Sequence, residues 1–82
     1  IDAQTRRVMD NLALVLAELG LGLDHVISAR AYLTNFEHDY QGMNDAYASY
    51  FPADRRPART CVGVTGLALG ALVEIDMVAK RP

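Results

Sequence analysis

Eighty-two residues, 51% apolar and 22% charged, make one small domain, and that balance excludes a disordered tail, a collagen-like repeat and a disulfide scaffold. Eight Lys and Arg stand against ten Asp and Glu, a net charge of −2, and the local excess of cations is confined to Arg55, Arg56 and Arg59. Neutralising a phosphate backbone takes clustered cations, so nucleic-acid binding is disfavoured while a small anionic metabolite is not. No run of about 18 uncharged apolar residues exists, which argues against a membrane span, and Ile1 to Arg7 lacks a basic-then-apolar signal pattern. The lone Cys61 has no internal disulfide partner, which fits a reducing compartment and a cytoplasmic location. A chain this short buries only about 60% of its unfolded surface, so oligomerisation is the natural way to complete a marginal core.

In chain order, Val8, Leu12, Val15, Leu16 and Leu19 recur at helical spacing and predict a helix over Ala3–Leu19, with its apolar stripe on a sheet. Asp2 is the expected cap, and Gly20 the left-handed residue that ends the helix. Val26–Leu33 alternates as a strand, with Ile27, Ala29, Ala31 and Leu33 on one face and Ser28, Arg30 and Tyr32 on the other. Phe36, Tyr40, Met43, Tyr47, Tyr50 and Phe51 return to helical spacing and predict a second amphipathic helix ending before Pro52. After the solvated connection Pro52–Pro57, two segments rich in β-branched residues, Ala58–Thr65 and Ala71–Ala79, read as strands. The order α-β-α-β-β predicts a two-layer α+β domain over residues 1–82, with two helices on one face of the sheet. Three strands are thin cover for two helices, which again points to completion by another chain.

If the last two strands form an antiparallel hairpin with a tight turn at Ala68-Leu69, the odd positions of the first share a face with the even positions of the second. Arg59, Cys61, Glu74 and Asp76 then converge, and the aliphatic residues pack beneath the helices; a one-residue slip destroys the grouping. Arg supplies a planar fork for a carboxylate, and Glu can take a proton from water within hydrogen-bond reach. By themselves such residues are more often a structural ion pair. Cys61, with no histidine on a neighbouring element, reads as an inert strand cysteine. His25 and His38 lack metal-ligand spacing and read as loop histidines. The aromatic stripe reads as core and subunit packing, since no Lys or Arg interleaves it. Gly63, Gly66 and Gly70 precede no helix, so they do not form a phosphate-cradling loop.

Pro57-Ala58-Arg59-Thr60-Cys61-Val62 followed by Leu69-Gly70-Ala71-Leu72-Val73-Glu74-Ile75 strongly resembles the C-terminal hallmark of the reactive intermediate deaminase (Rid, or YjgF) family, also labelled endoribonuclease L-PSP. Asn11-Leu12, Val26–Leu33, Met43-Asn44-Asp45-Ala46-Tyr47 and Tyr50-Phe51 match the rest of its pattern in order. The resemblance implies a chorismate-mutase-like fold, a homotrimer with clefts between subunits, and no metal or organic cofactor. It implies hydrolysis of 2-imino and enamine acids (2-aminoacrylate, 2-iminobutanoate, 2-iminopropanoate) to 2-keto acids and ammonia. In that pattern Arg59 grips the substrate carboxylate and Glu74 partners the attacking water. Cys61 and Thr60 lie on the cleft strand, and Asn44 is near the rim. The family's N-terminal β-hairpin is expected to be missing here. The rival expectations are a non-catalytic small-anion-binding or regulatory trimer and, less favoured by the acidic balance, a ribonuclease or translation inhibitor.

Overall fold

The computed structural model describes residues 1–82 and contains helix α1 (Asp2–Glu18), strand β1 (Val26–Leu33), helix α2 (Phe36–Ala48), strand β2 (Ala58–Gly63) and strand β3 (Val73–Ala79). Short 3-10 turns at Leu23–His25 and Ala68–Gly70 complete it. Two helices on one face of a three-stranded mixed sheet form the expected two-layer α+β arrangement. No helix is long and apolar enough to cross a membrane.

Helix α1 begins one residue earlier than expected. Ile1 occupies the cap position and makes no side-chain cap bond. Asp2 instead lies inside the first turn, where it favours the positive helix end and pairs with Arg6 at 3.0 Å. The helix stops where Gly20 adopts φ 75°, a left-handed conformation that costs glycine little. In α2 the acidic Glu37 and Asp39 fall in the first turn. The chain leaves that helix through Ser49–Phe51, and the Tyr50 hydroxyl donates to Asp10 at 2.7 Å with the Arg6 carbonyl 3.1 Å away, tying α1 to the end of α2.

The sheet order is β2-β1-β3, with β1 parallel to β2 and antiparallel to β3. This corrects the expected terminal hairpin, because β2 and β3 do not pair. Strands β1 and β2 are joined through α2, the crossover a parallel pair requires. The segment after β2 then passes over the end of β1, where the Val64 amide donates to Leu33 at 2.9 Å and the Thr34 amide to Leu72 at 3.2 Å. It must span two strand spacings of about 4.8 Å each, more than a tight turn covers. Leu69 lies on this crossing at φ 57°, fully exposed.

The core under the helices joins Met9, Ala29, Ala31, Leu33, Met43, Tyr47, Phe51, Val73 and Ile75. The stripe expected on α1 is only partly inside. Thr5, Met9 and Leu16 are buried, whereas Val15 and Leu19 are about half exposed. They line an open apolar groove with Leu12, Leu21 and Met77 because β3 is an edge strand and nothing lies beyond it. Leu33 is 0% exposed at the end of β1, paired in both ladders, whereas Leu14 on the outer side of α1 is 64% exposed. Leu33→Ala is expected to cost about 2–5 kcal/mol in urea unfolding and Leu14→Ala less than about 0.5 kcal/mol; similar losses for the two would contradict this core.

Candidate functional site

Register decides which side chains can meet. Along the parallel ladder Ala29 faces Arg59 and Ala31 faces Cys61; along the antiparallel ladder Ala29 faces Met77 and Ala31 faces Ile75. Paired residues point to the same side of a sheet, so Arg59 and Cys61 lie on the helix side with Val73, Ile75 and Met77. The outer side carries Arg30 with Thr60 and Asp76, and Tyr32 with Val62 and Glu74. The expected convergence of Arg59, Cys61, Glu74 and Asp76 is therefore corrected. Arg59 and Glu74 of one chain stand on opposite faces. A shared face would require β2 to pair with β3, and β1 separates them.

On the helix side, Arg59 lies over two rings of α2. Its guanidinium carbon is 4.9 Å from the Tyr47 ring centroid and 5.9 Å from that of Tyr40, and its Nη2 donates to the Tyr40 hydroxyl at 3.2 Å. Phe36 stacks on Tyr40 at 5.1 Å, and Tyr47 packs on Phe51 at 5.1 Å, which steadies both rings. A cation over an aromatic face is attracted without consuming the donor fork. Arg59 forms no ion pair. It opens onto a cavity of about 260 Å³ lined by Asn44, Tyr47, Ala48, Arg56, Pro57 and Arg59, near the lower limit for small-molecule sites. Asn44, expected near the rim, is thus brought to Arg59. The lining residues include two arginines and an asparagine but no Asp or Glu.

The remaining expected residues divide between the faces. Cys61 is half-buried against the core. Burial pushes its thiol upward, and the Arg59 charge pulls only partly the other way, so it is a poor nucleophile at neutral pH. Burial likewise raises the Tyr47 hydroxyl, again against Arg59, and that hydroxyl has no protein partner. Thr60 borders an open depression beside Ser28, Arg30 and Ala58. Asp76 accepts from Arg30 Nε at 2.9 Å and from the Tyr32 hydroxyl at 3.4 Å, a structural pairing that raises the Arg30 guanidinium chiefly through the hydrogen bond. Glu74 is exposed beside Tyr32. No group of three His, Cys, Asp or Glu side chains is placed to hold a metal ion. The sequence reading assigned Tyr40 and Tyr47 to packing and Arg56 to a solvated loop. Their spacing from Asn44 and Arg59, once strand and helix were in contact, was the available signal.

Iodoacetamide should alkylate Cys61 at pH 8 more slowly than a free thiol of pKa about 8.5. Arg59→Met removes the one lowering influence and should move the pH–rate curve further upward; a curve displaced downward would contradict that electrostatic assignment.

The family profile described as Endoribonuclease L-PSP matches residues 1–81. A RutC family protein of Synechocystis sp. is 38% identical over 82 residues, 100% of this chain and 62% of the relative. The 3-aminoacrylate deaminase RutC of Acinetobacter baylyi is 40% identical over 77 residues, 94% of this chain and 60% of the relative. The crystal structure of E. coli TdcF with bound serine superposes with a TM-score of 0.90 at 25% identity, covering 99% of this chain and 65% of TdcF. The chain spans about three fifths of the length of the curated relatives it matches.

Proposed function

The chain belongs to the endoribonuclease L-PSP (Rid) family, and from that premise we propose that it hydrolyses reactive 2-imino and enamine acids to 2-keto acids and ammonia. The observation that carries this reading is Arg59, a guanidinium held over Tyr47 and Tyr40 at the wall of a small cavity with no carboxylate to neutralise it. A 2-imino acid offers the complementary carboxylate, and the deaminase activity of the Acinetobacter relative supports the class of reaction.

Arg59 takes the substrate carboxylate on its planar fork, and Asn44 lines the same cavity as an additional polar group. An enamine such as 2-aminoacrylate is first protonated on carbon to give its imine. The protonated imine carbon is already electrophilic, so catalysis consists largely of orienting the acid and delivering water. Water attacks that carbon, a carboxylate takes its proton, and a carbinolamine forms. Protonation of the nitrogen then breaks the C–N bond, releasing ammonia and leaving the keto acid. Glu74 is the proposed partner of the water. Within one chain it stands on the face away from Arg59, so in this reading a neighbouring copy supplies it, with Thr60 on the same outer face. The half-exposed Val62 and Val78 make that outer face suited to contact between copies. A closed cyclic trimer would place each outer face against the next protomer. Cys61 packs beside Arg59's strand neighbours against the core as an apolar residue, and no step passes through a metal or organic cofactor.

A second reading, a non-catalytic small-anion-binding trimer, is favoured by the same separation of Arg59 from Glu74. Ammonia release from 2-iminobutanoate, generated in situ by an amino-acid oxidase, distinguishes the two. Arg59→Ala should lower kcat/KM by at least about a hundredfold while the assembly mass is kept; turnover equal to the parent would remove Arg59 from the mechanism. Glu74→Gln should depress kcat more than KM. Mixing the two inactive variants at equal amounts should restore roughly a quarter of the sites if each site takes Arg59 and Glu74 from different copies. No recovery after confirmed subunit exchange would refute the shared site.

A further inference from the structure

The cavity beside Arg59 holds a second cation that a simple 2-imino monocarboxylate leaves unmatched. Resting on the deaminase reading above, we infer that Arg56 selects substrates with a second negative group, so that the preferred class is the 2-imino dicarboxylates, the four- and five-carbon imines that hydrolyse to 2-keto diacids.

Arg56 and Arg59 line the same space of about 260 Å³, and no Asp or Glu lines it with them. Neither arginine takes part in an ion pair, unlike Arg6 with Asp2 and Arg30 with Asp76. Two arginines on one small cavity raise its positive potential, which a bound anion offsets. One carboxylate answers Arg59 and leaves Arg56 unanswered, whereas a diacid answers both. Three residues of chain separate their Cα atoms by at most about 10 Å, a distance two arginine side chains and a short diacid bridge without stretching. Pro57 fixes its own φ and restricts the backbone of the preceding Arg56, so the second cation is carried on a constrained piece of chain. The chemistry is unchanged: water adds to the imine carbon, the C–N bond breaks and ammonia leaves. Only the far end of the substrate differs.

The stable products report the preference without turnover. Calorimetric titration of the protein with 2-oxoglutarate and with 2-oxobutanoate, at fixed ionic strength, gives the ratio of their dissociation constants. The expected ratio is about tenfold in favour of the diacid, the size of effect one charge-assisted contact can produce. Arg56→Gln should bring the ratio close to one, and Arg56→Lys should restore most of it, which a merely structural role for Arg56 would not do. Equal affinities in the parent, or a diacid preference that survives Arg56→Gln, would overturn the inference. So would inorganic phosphate displacing 2-oxoglutarate as well as a competing diacid does, since that marks a general anion site. Arg59→Gln separates the two levels of the argument. If it weakens both acids while Arg56→Gln leaves the ratio intact, only the selectivity is wrong; if it weakens neither, the carboxylate anchor of the deaminase reading is wrong as well.

Discussion

Strand β1 is bonded on both sides, and every other placement depends on its two registers. Each ladder matches odd positions with odd and even with even over the paired residues that carry the site. One alternation thereby sorts three strands at once. Ala29, Ala31 and Leu33 bring Val73, Ile75 and Met77 under the helices, and they bring Arg59 and Cys61 there too. A slip of one residue in the parallel ladder would send the guanidinium to the outer side and expose the apolar edge of the core. Pairing so heavily specified by burial makes Arg59's location a consequence of the packing of Leu33 and its neighbours.

An arginine on the core side of a sheet is tolerable because β2 is an edge strand. Its stem crosses apolar surface while its head reaches the cavity, the usual compromise for a long cationic side chain. What holds the head is as important as where it lies. Arg30, on the outer face, is engaged by Asp76 and would have to give up that carboxylate to bind another. Arg59 is steadied by the faces of Tyr47 and Tyr40 and by a single hydroxyl, so most of its donors remain available. Two arginines a strand apart thus differ in availability through their immediate partners, although both carry the same charge.

The elements were legible because their signals are local. Gly20 marks the end of α1, alternation marks β1 over Val26–Leu33, and the aromatic spacing marks α2. The pairing of β2 was not legible from its own residues, since alternation looks the same whichever strand lies alongside. The strand-helix-strand order of β1, α2 and β2 did contain the clue, because such a unit favours parallel pairing, and the parity of Arg59 and Glu74 followed from that choice. Asn44 and Arg59 line one cavity once α2 lies against β2. Tyr40 and Tyr47 were counted as packing, which they are; that the same rings also seat a cation becomes visible only when α2 is laid against β2. Arg56 was hidden by its neighbours, since a cation in a short run before a strand has the composition of a solvated loop.

The passage from β2 to β3 joins two strands that pair with β1 and not with each other. Leu69 carries a bulky side chain wholly into solvent in a left-handed conformation, and a Cβ added at Gly66 or Gly70 would meet nothing. The hydrogen bonds that tie this passage to β1, at Val64 and Leu72, sit at its two ends, and the middle is closed only by its own turn, where the Ala71 amide donates to Ala68 at 3.2 Å. That middle is where new termini, an inserted peptide or a reporter group could be accommodated with both ladders of β1 left intact.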